Sequence, residues 1–140
     1  MTRLDRRGGG PVPPFFDRMR QNRRMAPLPR ILLHTGRDRR LVVDPADVCF
    51  LEAAGARTRV RLARRRAHLD NRSLAELLAL FRPHGFVRIH RHYAVNALRL
   101  REIRRHGERG WEVKLEPPVN KVLPVGREHL RRLWKLFGEK

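Results

Sequence analysis

The sequence predicts a mostly β domain with few helices: small antiparallel sheets, one central helix and one C-terminal helix. Three observations predict it. Between residues 40 and 124 the apolar residues fall in short runs, several alternating with polar ones at the two-residue period of a strand. Asp44-Pro45, Ala63–Arg66, Gly107–Gly110 and Pro117-Pro118 divide those runs as turns do. Two stretches, 74–81 and 127–137, carry apolar residues at helical spacing instead.

Residues 1–29 contain Gly8-Gly9-Gly10 and Pro11, Pro13, Pro14, Pro27 and Pro29 among scattered arginines. Such a stretch buries little apolar surface and is expected to be a basic arm. A short helix over Phe15–Met25 would let Phe15, Phe16 and Met19 dock elsewhere. The texture changes at Ile31, so residues 30–140 are taken as the folded domain. Arg40–Val43 and Asp47–Glu52 read as strands, and small-sided Ala53–Ala56 as a loop. Arg57–Leu62 alternates in polarity and returns as Ala67–Asp70 after a turn over Ala63–Arg66. Ser73-Leu74-Ala75-Glu76 is a capping box, in which the Ser hydroxyl and Glu carboxylate each satisfy a free N–H at a helix start. Leu74, Leu77, Leu78 and Phe81 form that helix's apolar face, and Pro83 and Gly85 end it. Strands follow over Phe86–Ile89, Leu98–His106, Trp111–Leu115 and Lys121–Pro124. A last helix over Arg127–Phe137 has Leu130, Leu133, Trp134 and Phe137 on one face.

Charge narrows the function. The 140 residues hold 33 Lys and Arg against 14 Asp and Glu, a net charge of +19. Residues 1–30 contain 8 basic and 2 acidic residues, which leaves 25 and 12 in the part expected to fold. The excess is therefore not confined to the arm. A compact domain this positive repels itself, and a large anion offsets that; nucleic acid is the first candidate and an anionic membrane surface the second. All but four of the basic residues are Arg. Arg makes forked contacts to phosphate and to guanine edges that Lys does not, although a GC-rich genome would also favour Arg.

Other chemistries fit poorly. Cys49 is alone, within the apolar run Val48–Leu51, so neither an intrachain disulfide nor a cysteine zinc site is available. There is no apolar run long enough to span a bilayer and no secretory signal pattern at the N-terminus. A cytoplasmic protein is expected. His90 and His92 lie two apart on a strand-like segment and would point the same way, as a metal pair requires. The surrounding arginines disfavour a cation, and no third ligand stands out. Neither a glycine-flanked serine nor a phosphate-binding glycine loop is present. We therefore expect no enzyme activity, no cofactor and no small-molecule substrate. Basic clusters at Arg57-Arg59-Arg61, Arg88–His92 and Arg127-Arg131-Arg132 favour nucleic acid. Each alone would be an ordinary solvated face; together they point to a polyanion.

These residues lead to a family. "LDNRSLAELLALFRPHGFVRIHRHYAVNALRLREI" resembles the central block of the LytTR-type DNA-binding domain: its helix, its F-x-R-x-H-R segment and the V-N that follows. "DPADVCFLEAAGARTRV" and "LPVGREHLRRL" resemble the family's first paired strands and its closing strand and helix. The resemblance runs from about Leu41 to Leu136. It implies double-stranded DNA as partner, with loops rather than a recognition helix entering successive major grooves. It places Arg91 and Arg127 at DNA bases, Thr58 with Arg57 beside it on the first contact loop, and Arg88 and His90 in the central motif; Arg57, Arg59, Arg64, Arg65, Arg66 and the arm would neutralise phosphates. The residues alone leave a second role open for His90: buried and hydrogen-bonded, shaping the segment. Asn96 is expected to cap a turn with its amide. Gly126 stands where the family usually has Ser, and "EPPVNKVLP" departs from the usual short hairpin. Residues 1–30 are too few for a receiver domain, so a stand-alone regulator is expected. The family commonly places two copies on repeated half-sites; no dimerisation element is visible, so a homodimer and paired copies both remain open. The rival reading is a non-specific RNA- or DNA-binding structural protein.

Overall fold

The computed structural model describes residues 29–64, 66–117, 119 and 121–139. The expected arm and its short helix fall on residues 1–28, outside the described residues. From Ile31 onward, ten strands form three antiparallel sheets. Strands β1 (Ile31–His34) and β2 (Arg40–Val43) make a hairpin, with Ile31, Leu33 and Val43 turned inward. Strands β3 (Val48–Ala54), β4 (Arg57–Leu62), β5 (Ala67–Asp70), β6 (Phe86–His90) and β7 (Tyr93–Asn96) form a five-stranded sheet in the order β5-β4-β3-β7-β6. Strands β8 (Leu100–Arg105), β9 (Trp111–Leu115) and β10 (Val122–Val125) form the third sheet, with β9 central. Helix α1 (Leu74–Phe81) links β5 to β6, and α2 (Arg127–Leu136) follows β10.

The five-stranded sheet is buried on both faces. One face carries Val48, Leu51, Val60, Phe86 and Ala94 into a core shared with α1 and the β1–β2 hairpin. The other carries Cys49, Phe50, Val87, Ile89 and Val95 into a core shared with the third sheet and Leu133 of α2. This explains Val48-Cys49-Phe50-Leu51: a strand covered on both sides needs apolar residues at every position. Cys49 is packed there, and burial pushes its thiol pKa up, so it behaves as a small core residue.

Helix α1 forms as its sequence dictates. Glu76 N–H donates to Ser73 Oγ at 3.2 Å and Ser73 N–H donates to Glu76 Oε1 at 3.0 Å. Leu74, Leu77, Leu78 and Phe81 are buried, and each contributes about 1.5–3 kcal/mol. Phe81 meets Phe86 edge-on at 4.8 Å between ring centroids, which fixes the helix against β6.

Two expectations need correction, on Ala53-Ala54 and Phe137, and two strands were not foreseen. Ala53 and Ala54 extend β3, because they pair with Thr58 and Arg57; only Gly55-Ala56 turns. Tyr93–Asn96 is a strand, held centrally between β3 and β6. Ile31–His34 is likewise a strand, paired with β2. Phe137 lies beyond the end of α2 and is 53% exposed, so it is not part of the helix's packed face. Asn96 does cap a turn: its Oδ1 accepts from Leu98 N–H at 3.1 Å, while its Nδ2 donates to Val48 O at 3.0 Å.

Candidate nucleic-acid interface

Three turns meet at one end of the five-stranded sheet. The β3–β4 turn is Gly55-Ala56, with Gly55 at φ 65°, a conformation that glycine adopts without a Cβ clash. It presents Arg57. The β6–β7 turn is Arg91-His92, and His92 O accepts from Ala53 N–H at 2.8 Å, so this turn lies against the last residues of β3. The β10–α2 junction is the third. Gly126 N–H donates to Ile89 O at 2.6 Å, which seats the start of α2 on β6. Chain reach then limits the Cα atoms of Arg91 and Arg127 to roughly 16 Å apart. Arg57, Arg91 and Arg127 are all exposed and form no ion pair among the described residues.

The Arg91 turn has an internal frame. A bulge between Arg88 and His90 makes Ile89 an extra residue in the ladder with β7. Arg88 donates from Nε to His90 O at 3.0 Å and from a terminal nitrogen to Arg91 O at 2.6 Å. His92 N–H donates to His90 Nδ1 at 3.1 Å, so that nitrogen is an acceptor and the ring is neutral. Burial lowers the His90 pKa, helped by His92, Arg91 and His129 and opposed by Glu128. Burial likewise lowers that of His129, which Arg88 and Arg132 push the same way against Glu128. No local spacing signals that His129 of α2 stands beside His90. His90 and His92 have ring centroids 5.5 Å apart, yet among the described residues no three His, Cys, Asp or Glu side chains are placed to hold a metal ion.

The rest of the basic residues divide. Arg59 pairs with Glu52 at 3.3 Å and remains 42% exposed, while Arg61 lies 5.6 Å over the Phe50 ring. Arg64 and Arg66 lie on the β4–β5 turn, at the opposite end of β4 from Arg57 and about 20 Å away at strand rise. Those two therefore do not share a surface with Arg91. Thr58 corrects the implied contact loop. It is fully buried in β4 on the face opposite Arg57, and its hydroxyl donates to Arg72 O at 2.9 Å, so it has no surface to offer DNA. Asp70 is also buried; Arg72 grips it with Nε and Nη2 at 3.0 and 2.9 Å. Arg127, Arg131 and Lys135 of α2 line an open groove with Trp134, which stands edge-on to Trp111 at 5.1 Å.

Small antiparallel sheets with exposed arginines on turns at one end, in no ion pair among the described residues, define a basic β-rich module. The comparisons make this particular. Residues 38–138 match the family model of the LytTr DNA-binding domain, and the chain belongs to that family. It is 34% identical over 96 residues to the CO-responsive transcriptional regulator RcoM of Rhodospirillum rubrum; the match takes in 69% of this chain and 40% of that protein. The chain thus spans less than half the length of that relative. Its fold resembles the LytTr DNA-binding domain of a Bacillus cereus protein described as a methyl-accepting/DNA response regulator, with a TM-score of 0.64 and 23% identity over 78% of this chain and 96% of that one. Among the described residues no helix is long and apolar enough to cross a membrane.

Proposed function

We propose that this chain is a transcriptional regulator of the cytoplasm, without enzymatic activity, that binds specific sites on double-stranded DNA and reads the major groove through arginines on its turns. The single observation that carries the reading is the gathering of Arg57, Arg91 and Arg127, exposed and unpaired among the described residues, at one end of the sheet. Arg91 and Arg127 are the readers. A guanidinium fork matches guanine O6 and N7, and each such pair contributes about 1–3 kcal/mol of discrimination. Arg57, Arg59 and residues 1–29, a basic arm preceding the domain, neutralise phosphates. Arg88 and His90 belong to the same interface through the Arg91 turn. The likeness to a transcriptional regulator supports gene control as the setting. One copy suffices for one half-site, and repeated half-sites would take two.

Selecting bound duplexes from a random pool tests the reading. A defined motif is expected. Arg91→Ala should then weaken binding to the selected duplex by roughly 10–100-fold, with far less effect on random duplex, whereas Lys121→Ala should affect both alike. Equal weakening of both DNAs by Arg91→Ala would remove Arg91 as a reader. Equal competition by RNA and single strands would favour a non-specific structural protein.

A further inference from the structure

We infer that Arg88 sets base specificity without touching DNA, as the clamp that fixes the turn presenting Arg91. The inference rests on the DNA-reading role proposed above. The bulge leaves Ile89 without a partner in the ladder, and Arg91-His92 form the turn beyond it, so carbonyls here would otherwise lack partners. The four carbonyls from Ile89 to His92 nevertheless all have partners. Ile89 O accepts from Gly126 N–H of the α2 junction, and His92 O from Ala53 N–H of β3. The two between them, His90 O and Arg91 O, both accept from Arg88. A third side-chain bond, His92 N–H to His90 Nδ1, closes the turn from the inside.

The backbone of Arg91 is thus pinned on both sides, and its side chain is the free part. A reader must be held near its productive geometry before the partner arrives, since a loose one loses discrimination first. Only a planar fork can reach two carbonyls in different directions from one short strand position; the Lys ammonium, a single point of donation on a flexible stem, cannot copy it. The positions of its donors also argue against a phosphate role for Arg88. The two that are used face the protein's own carbonyls, whereas Arg91 has no such partner among the described residues.

The test is a double-mutant cycle on binding to a selected duplex and to random duplex, over a range of salt. Arg88→Lys keeps the charge and loses the fork. We expect the specific-to-random affinity ratio to fall on the order of tenfold, part of the value of one base contact, with random-duplex affinity and salt slope unchanged. In an Arg91→Ala background, Arg88→Lys should cause no further fall, because the clamp acts only through Arg91. If Arg88→Lys does not fold, as thermal melting would show, Arg88→Met takes its place. It keeps length and packing but removes every donor, and the ratio should fall to the same extent. An unchanged ratio, or losses that multiply across the cycle, would overturn the inference. So would an Arg88→Met salt slope shallower by about 0.9, the mark of a lost phosphate contact. If the wild type itself shows no preference for the selected duplex, the DNA-reading role fails and the clamp with it. If the wild type discriminates and Arg91→Ala relaxes it while Arg88→Lys does not, the clamp alone fails.

Discussion

Asp70→Asn is the most informative change in the framework behind the turns. Asp70 is fully buried and accepts four hydrogen bonds: from His34 N–H at 2.8 Å, Arg72 N–H at 2.8 Å, and the Arg72 Nε and Nη2 groups. Arg72 also donates to Leu32 O at 2.7 Å, so one carboxylate ties β1 to β5 and to the entrance of α1. An asparagine has one acceptor oxygen. Its NH2 group must face one pair of donors, so two bonds are lost and the Arg72 charge is left unpaired. Breaking a buried pair costs about 3–5 kcal/mol; the Arg72 side chain is 21% exposed, which places the expected loss near the lower limit, about 3 kcal/mol. In urea titration the midpoint should fall with m unchanged. The pH dependence follows. Burial pushes the Asp70 pKa up, but the bonds from Arg72 and His34 outweigh it and hold the pKa below the usual carboxylate value. A depressed pKa contributes stability above the unfolded value of about 3.9, lost as pH falls through the native one. The gap between wild type and Asp70→Asn should therefore persist from pH 7 to pH 5, begin to narrow below pH 4, and close as pH falls through the depressed native value. A loss under about 1 kcal/mol, the worth of an ordinary hydrogen bond, or a gap that does not close in acid, would refute the reasoning.

Further outcomes follow from the same bonds. Thr58→Val should cost about 1 kcal/mol in thermal or urea unfolding, because Arg72 O loses its donor, and should leave the specific-to-random DNA ratio unchanged. Ser73→Ala should cost about 1 kcal/mol by removing the α1 cap, again read by urea midpoint. His68, His90 and His129 all have lowered pKa values, with burial the first cause at each. Groups held below their unfolded pKa of about 6.5 stay neutral in the fold while the unfolded chain takes up protons, so stability falls as pH drops below 6.5. His90→Asn keeps an acceptor for His92 N–H without a titrating ring, and should reduce the fall in melting temperature between pH 7 and pH 5.5.

Local chemistry made some elements legible and hid others. The capping box and the Leu74–Phe81 spacing specified α1 because every signal lay within the eight residues of the helix and its Ser73 cap. Trp111–Leu115 was legible because its inward residues, Val113 and Leu115, alternate with polar ones. Tyr93–Asn96 escaped notice because a short central strand, with Ala94 and Val95 buried on opposite faces, has neither alternation nor length. At the interface, Arg57, Arg91 and Arg127 were visible as residues in basic clusters, but their convergence was not. It depends on the bonds from Gly126 to Ile89 and from Ala53 to His92, made across long stretches of chain. Thr58 misled for a related reason: in an alternating strand next to a turn, only the pairing of β3 with β4 decides which face is inward.

The most direct test of groove reading by arginine is atomic substitution in the DNA. In a selected duplex, each guanine is replaced singly by 7-deazaguanine, which lacks the N7 acceptor and leaves base pairing intact. Wild-type protein should lose roughly 5–100-fold in affinity at one or two positions, and Arg91→Ala should lose nothing more at one of them. Tolerance of the replacement at every guanine, with a selected motif in hand, would contradict the account.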